Sequence, residues 1–522
     1  MTPARTRGVA LLVVLAFLLV GCSGSRNDAT APATHAAVRP TAAPSVPSRS
    51  TAGRVPSSLA GFYHQRLDWK SCQGGGPNRC ARMRVPLDYA HPRGKTVSLA
   101  VLKVPALEPG KRIGSMGINP GGPGESGVEW AASASAEYGK ALRDVYDVVG
   151  FDPRGVGSSD PVQCLSDDQL DRLVSSDPDP ETAAERRRAD QMMRAFGEGC
   201  LRHSGDLARH VSTEEVAKDL DILRAVLGDA KLTYFGASYG TAIGASYADQ
   251  FPERVGRMVL DGALDPTSSV VDLDLVQAHG FEVALRAYVG ACVQKGHCFL
   301  GSTVDQGVQR IQDFLTGLEA RPIKTSSGEE VTAGIALYGL LYPLYDRSTW
   351  SILDRTLQTG FSGDGTLLRL VADAYLHRNP DGTYRDNSFQ VFNAVICLDD
   401  DEGVPSSRIP QYLPRFEKAS PTFGKIFAST LATCRLWPVH SGRTPHVVHA
   451  KGSPPILVVG TTRDPATPLV WARSLARQLD KGVLVTRDGD GHTGYNRGSP
   501  CVDRTVEDYL VHGTVPRGPV HC

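Results

Sequence analysis

Gly236-Ala237-Ser238-Tyr239-Gly240 reads Gly-x-Ser-x-Gly, and the residues on either side decide what the pattern means. Leu232-Thr233-Tyr234-Phe235 ahead of it has the content of a buried strand, and residues 242–250 behind it read as a helix. Strand, sharp turn and helix in that order make an elbow that holds a serine hydroxyl out at the carboxyl edge of a parallel sheet. The flanking glycines suit the turn because a side chain at either would clash with the neighbouring strand or helix. Glycine is common in this chain, at 54 residues, so the motif alone is weak and its flanking elements carry the assignment. Ser238 is on this reading a nucleophile; the plain alternative is an ordinary turn.

Three further segments fit the nucleophile. The apolar run at residues 113–118 leads into Asn119-Pro120-Gly121-Gly122-Pro123-Gly124. A glycine-rich loop after an early strand lets backbone N–H groups approach a developing oxyanion, so Gly121 and Gly122 are expected to line that hole with the N–H of Tyr239. Taken alone the loop reads equally well as a Pro/Gly turn. Pro455-Ile456-Leu457-Val458-Val459-Gly460 is a strand-like run that ends in Thr461-Thr462-Arg463-Asp464-Pro465, which places an acid in a loop at a strand's carboxyl end. Val483-Leu484-Val485-Thr486 is another, followed by Gly489-Asp490-Gly491-His492-Thr493-Gly494, where glycines give a histidine room to turn its ring. The order Ser238, Asp464, His492 is the order of an α/β-hydrolase triad. Most of the 14 histidines belong to the surface or the core; His492 stands out by following the last strand. Asp488 and Asp490 compete with Asp464, but they lie too close in sequence to His492 and on its own strand.

The amino end describes export. Arg5 and Arg7 precede twelve unbroken apolar residues, 9–20, a length that suits a signal peptide and falls short of a bilayer span. Leu19-Val20-Gly21-Cys22 matches a bacterial lipobox, so residues 1–22 are expected to be a lipoprotein signal with Cys22 lipidated and holding the protein to the outer face of the membrane; a plain signal peptide cut nearby is the simpler alternative. Residues 23–57 are rich in Ala, Pro, Ser and Thr and read as a disordered tether. Without Cys22, ten cysteines remain, an even number that in an exported chain favours disulfides. Sequence leaves the connectivity open; nearest-neighbour pairing would join 72 to 80, 164 to 200, 292 to 298, 397 to 434 and 501 to 522. No Cys-x-x-Cys pair or His/Cys cluster points to a metal, and no motif asks for a cofactor. Lys and Arg balance Asp and Glu at 56 each, which argues against a nucleic-acid partner.

The chain is long enough for a second module. Residues 58–265 and 451–522 carry the alternating strand and helix signals of a parallel sheet, with Asp147-Val148-Val149-Gly150-Phe151-Asp152 and Met258-Val259-Leu260-Asp261-Gly262 as further strands. Between 266 and 450 helical periodicity takes over, at residues 276–292, 305–318 and 338–359. The expected fold class is therefore α/β: an α/β-hydrolase core with an inserted, mainly helical cap over the site. A further helical stretch occupies residues 180–228.

With these segments in view a resemblance can be named. Asn119-Pro120-Gly121-Gly122-Pro123-Gly124, Asp152-Pro153-Arg154-Gly155-Val156-Gly157-Ser158, the Ser238 elbow, Asp464 and Gly491-His492 together resemble the proline iminopeptidase / tripeptidyl aminopeptidase family of exported actinobacterial serine peptidases, over about residues 60–522. Asn119 stands where iminopeptidase members carry histidine, as in the tripeptidyl branch. Cys397-Leu398-Asp399 and Cys434-Arg435-Leu436-Trp437-Pro438 are similar to the segments that close that branch's cap. The resemblance implies an exopeptidase acting on peptides with a free N-terminus. Such an enzyme needs a carboxylate for the substrate ammonium, and Asp399, in the acidic run Asp399-Asp400-Asp401-Glu402, is the first candidate, with a solvated loop as the plainer reading of the run. Trp437 is a candidate cleft wall or simply core, and Arg154 a brace for the loops. The triad does not choose ester over amide, so an esterase or other acyl hydrolase is the alternative, followed by a non-catalytic lipoprotein on the same scaffold.

Overall fold

The computed structural model describes residues 55–73, 75–400, 403–442 and 444–522. The expected leader, Cys22 and the tether up to residue 54 lie outside the described residues, as do Asp401 and Glu402.

Twelve strands are present among the described residues: β1 (Lys70–Ser71), β2 (Arg79–Pro86), β3 (Thr96–Val104), β4 (Gly114–Asn119), β5 (Tyr146–Phe151), β6 (Leu232–Ala237), β7 (Val255–Asp261), β8 (Ile323–Lys324), β9 (Glu330–Val331), β10 (Ile456–Arg463), β11 (Gly482–Asp490) and β12 (Val520–His521). All but β8 and β9 join one ten-stranded sheet in the order β1-β2-β3-β5-β4-β6-β7-β10-β11-β12. β1, β2, β3 and β5 pair antiparallel in turn, and every pairing from β5 onward is parallel. The parallel strands are covered on both faces, which is why they read as unbroken apolar runs: all six residues of β5 and the first six of β10 are buried. One face packs against Val216, Leu220 and Leu223 of helix Thr213–Val226 and Ile243 and Tyr247 of helix Gly240–Gln250. The other packs against Val502, Val506 and Leu510 of helix Pro500–His512. This is the doubly covered sheet of an α/β-hydrolase.

Between β7 and β10 the chain builds a mainly helical cap. Helices Val270–Gln294, Val304–Ala320 and Trp350–Phe361 bury Phe281, Leu285, Ile311 and Leu353 with Phe416 and Phe423 in a core of their own. The helix expected over 338–359 is broken. Helix Ala333–Leu341 ends at a 3₁₀ turn, Tyr342–Tyr345, with Pro343 in its first positions, and Asp346 is extended and caps the next turn through the Ser348 N–H at 2.8 Å. The interruption turns Tyr345 toward the sheet.

Five disulfides are formed, Cys72–Cys80, Cys164–Cys200, Cys292–Cys298, Cys397–Cys434 and Cys501–Cys522, the chemistry of an oxidising, extracellular compartment. Among the described residues no helix is long and apolar enough to cross a membrane.

Candidate active site

Ser238 sits between β6 and helix Gly240–Gln250 with φ of +53°, a left-handed conformation that costs a non-glycine residue about 1–2 kcal/mol. Its own peptide groups hold it there. The Ser238 N–H donates to the Asp261 carbonyl at 2.8 Å, and its carbonyl accepts the Thr241 N–H at 2.9 Å and the Thr241 hydroxyl at 2.6 Å. The turn is wedged against the end of β4: a Cβ on Gly240 would stand 2.5 Å from the Asn119 carbonyl oxygen.

The glycine-rich loop reaches the elbow directly. Gly121 has φ of +102°, and a Cβ there would lie 2.7 Å from the Tyr239 nitrogen and 3.0 Å from Ser238 Cβ. Only glycine allows that approach. The loop corrects one expectation: the Gly121 N–H donates to Asn119 Oδ1 at 2.9 Å, so it is not turned to an oxyanion. Gly122 is exposed, and its N–H has no hydrogen bond among the described residues.

The acid and the histidine meet as expected. His492 Nδ1 is 2.9 and 3.0 Å from the two oxygens of Asp464, which is buried. The Asp464 carboxylate also accepts the N–H groups of Ala466, Thr467 and Thr493 at 3.0, 2.8 and 3.0 Å. Thr467 Oγ1 lies 3.1 Å from Asp464 Oδ2 and 3.2 Å from His492 Nδ1, touching both partners. With Nδ1 on the acid, the other edge of the ring is turned away from it. His492 Cε1 is 3.2 Å from where a Cβ would stand on Gly262, next to the Asp261 carbonyl that holds Ser238. The Ser238 hydroxyl makes no hydrogen bond among the described residues, the loose arrangement common before substrate binds. The competing acids are engaged elsewhere: Asp488 with Thr462 and Arg463, Asp490 with Arg463 and Arg347.

Two residues to which the sequence assigns no part in the site complete the frame. The Asp261 carboxylate accepts the Gly494 and Tyr495 N–H groups, both at 2.8 Å, tying the end of β7 to the histidine loop; burial pushes its carboxyl up to about 6. Tyr345, from the broken helix of the cap, accepts the His492 N–H on its carbonyl at 2.7 Å and sets its ring edge-on to the imidazole, centroids 5.5 Å apart. A cavity of about 270 Å³ opens beside His492, lined by Pro120, Trp130, Tyr138, Phe235, Tyr345 and Tyr495.

The remaining sequence candidates lie elsewhere. Asp399 accepts the Thr213 N–H at 3.1–3.2 Å and the Thr213 hydroxyl at the start of helix Thr213–Val226, and that hydroxyl meets the Tyr239 hydroxyl at 2.5 Å. Asp399 therefore braces the elbow from behind, at the start of a helix whose N-cap is Ser212. Trp437 is buried in the core, its ring edge-on to Phe196 at 5.4 Å, so it walls no cleft. Arg154, fully buried, pairs with both oxygens of Asp219 at 2.7 and 2.8 Å and donates to the carbonyls of Pro86, Leu87 and His210, a brace as expected.

Residues 420–522 match the family described as TAP-like protein. The chain is 37% identical over 478 residues to serine protease Hip1 of Mycobacterium tuberculosis, covering 88% of this chain and 91% of that one. It is 35% identical to carboxylesterase B of the same organism, over 85% of this chain and 86% of the relative. It is 32% identical to the tripeptidyl aminopeptidase of Streptomyces coelicolor, over 87% and 86%. Identity of that order along nearly the whole described fold, with an elbow serine and an Asp–His pair at the carboxyl edge of the sheet, makes this chain a member of the TAP-like family of α/β-hydrolases, the family of these actinobacterial serine hydrolases.

Proposed function

We propose that the chain is an exported, lipid-anchored serine exopeptidase that releases short peptides, tripeptides among them, from free N-termini. The observation that carries the hydrolytic half is the bond between His492 Nδ1 and Asp464 beside the strained Ser238 elbow. Ser238 Oγ attacks the scissile carbonyl as His492 Nε2 takes its proton. The Gly122 and Tyr239 N–H groups receive the oxyanion. As the tetrahedral adduct collapses, His492 hands the proton to the leaving amine and the peptide's N-terminal part stays on Ser238 as an ester. Water, deprotonated by His492, then frees it. Asp464 keeps the proton of the resting imidazole on Nδ1 and stabilises the imidazolium.

The peptidase half draws on relatives named serine protease and tripeptidyl aminopeptidase. Export and anchoring draw on residues 9–20 and Cys22 and agree with the five disulfides. Matched peptides with free and acetylated N-termini test the reading: free ones are cleaved, acetylated ones refused. The relative named carboxylesterase B favours a second reading, an esterase, in which small esters are turned over and no peptide is.

A further inference from the structure

We infer that Glu125, the residue immediately after the glycine-rich loop, is the anion that receives the substrate's α-ammonium and makes a free N-terminus a requirement. The inference rests on the exopeptidase reading above and assigns its specificity to one side chain.

Position comes first. The Glu125 N–H donates to the Gly121 carbonyl at 3.3 Å, and a Cβ on Gly122 would stand 3.3 Å from Glu125 Cγ. Gly121 in turn abuts Ser238 Cβ and the Tyr239 nitrogen. These short steps put Glu125 Cγ within roughly 13 Å of Ser238 Cβ at most. Three extended residues span about 10 Å, and an ammonium–carboxylate contact adds about 3 Å, so an N-terminal unit of up to three residues bridges the two.

The surroundings come second. The cap closes on the loop here: a Cβ on Gly124 would stand 2.5 Å from the Ser388 carbonyl oxygen. The Glu125 carboxylate has no hydrogen bond and no ion pair among the described residues. Burial pushes its carboxyl up, and the groups that act on it from both sides are His377, Asp386 and Arg385 of the cap and Glu129 of its own segment. His377 is bound to Asp386 at 2.6 Å. Burial raises the phenols of Tyr345 and Tyr375 and the charge of Glu125 adds to that, and Tyr345 is the residue packed on His492.

The consequence is chemical. A half-buried carboxylate close to the Gly122 N–H opposes the second negative charge that forms in the transition state. A substrate ammonium on Glu125 neutralises it and fixes the peptide's register together. An acetylated substrate does neither.

The test compares one tripeptide anilide, its N-acetyl form and a small neutral ester on wild type, Glu125→Gln and Glu125→Asp. Glu125→Gln is expected to lose about 10- to 100-fold in kcat/KM on the amine substrate. On the acetylated peptide and the ester it is expected to gain, by up to about tenfold, because the opposing charge is gone. Glu125→Asp retains the preference for the amine. If wild type discriminates but Glu125→Gln still prefers the amine as strongly, the inference fails and the exopeptidase reading stands. A parallel fall on all three substrates makes Glu125 structural and also overturns it. Equal cleavage of both peptides by wild type removes the exopeptidase reading and the inference with it.

Discussion

The carbonyl of Tyr345, in the cap, accepts the main-chain N–H of His492, in the core, at 2.7 Å. The Tyr345 ring stands edge-on to the imidazole of the same residue. The cap therefore helps to set the position of His492 through both its main chain and its ring. Removing the ring tests this. Tyr345→Ala is expected to lower kcat about tenfold on peptides and esters alike, since it acts through His492, whereas Tyr345→Phe stays near wild type; steady-state kinetics on both substrate types decides. An undiminished kcat in Tyr345→Ala would separate the cap from the base.

Thr467 links the other two partners. Its hydroxyl touches Asp464 at 3.1 Å and His492 at 3.2 Å, so it limits the rotation of both. Thr467→Val keeps the shape and deletes the contact. A hydrogen bond to a charged group is worth about 1.5–3 kcal/mol, so a loss of at least tenfold in kcat is expected together with a lower stability in denaturant unfolding, because Thr467 and Asp464 are both buried. KM should move little, because nothing in the contact depends on substrate.

Much of this was legible in the chain. β4, β5, β6 and β10 are buried on both faces, so they appear as apolar runs, and the elbow, the acid and the histidine follow strand ends in order. The rest depended on partners far apart in sequence. Residues 338–359 have helical content throughout, yet Pro343 and the capping Asp346 break the helix and send Tyr345 to a loop some 150 positions on, a pairing no local pattern records. Asp399 lies in an acidic run beside Cys397, but an acid that meets a helix start has a second use, and the Thr213 N–H takes it. A tryptophan such as Trp437 suits a cleft or a core alike from sequence, and its ring is buried against Phe196 in the core. Thr467 left a faint signal: an aspartate followed two and three residues later by N–H groups that turn back onto it is an Asx turn, and a threonine there has its hydroxyl beside the same acid.

The disulfide Cys397–Cys434 closes 37 residues and ties helix Ser388–Asp399, which begins against the Gly124 loop, to the segment before Trp437. Its removal by paired Cys→Ala changes is expected to cost about 2–4 kcal/mol in denaturant unfolding and to reduce activity as the cap loosens. The Cys501–Cys522 bond joins helix Pro500–His512 to the carboxyl terminus, so its loss should lower stability and spare kcat. Equal effects of the two on kcat would contradict this division.

The pair His377 and Asp386 gives the cap a pH dependence. The hydrogen bond that the imidazole donates to Asp386 raises it above its ordinary range, against the pull of burial. Burial raises Asp386, but its bonds to His377 and Ser388 outweigh that and hold it below the usual carboxylate range. A raised histidine stabilises fully below its unfolded value and loses that as pH rises through its folded one; a depressed acid stabilises above its unfolded value and loses that as pH falls. The window of full effect is roughly pH 4 to 6.5. Asp386→Asn, which keeps the contact to Ser388, should therefore cost about 1 kcal/mol near pH 5.5 and less at pH 9, measured by urea unfolding.

The central claim is that Ser238 is the nucleophile activated by His492. Labelling the folded protein with a fluorophosphonate, followed by peptide mass mapping, reads it directly. The expected result is one adduct per chain, on Ser238, formed far more slowly in His492→Ala and absent in Ser238→Ala, which also loses all turnover. An adduct on another residue, or turnover by Ser238→Ala near the wild-type rate, would contradict the account.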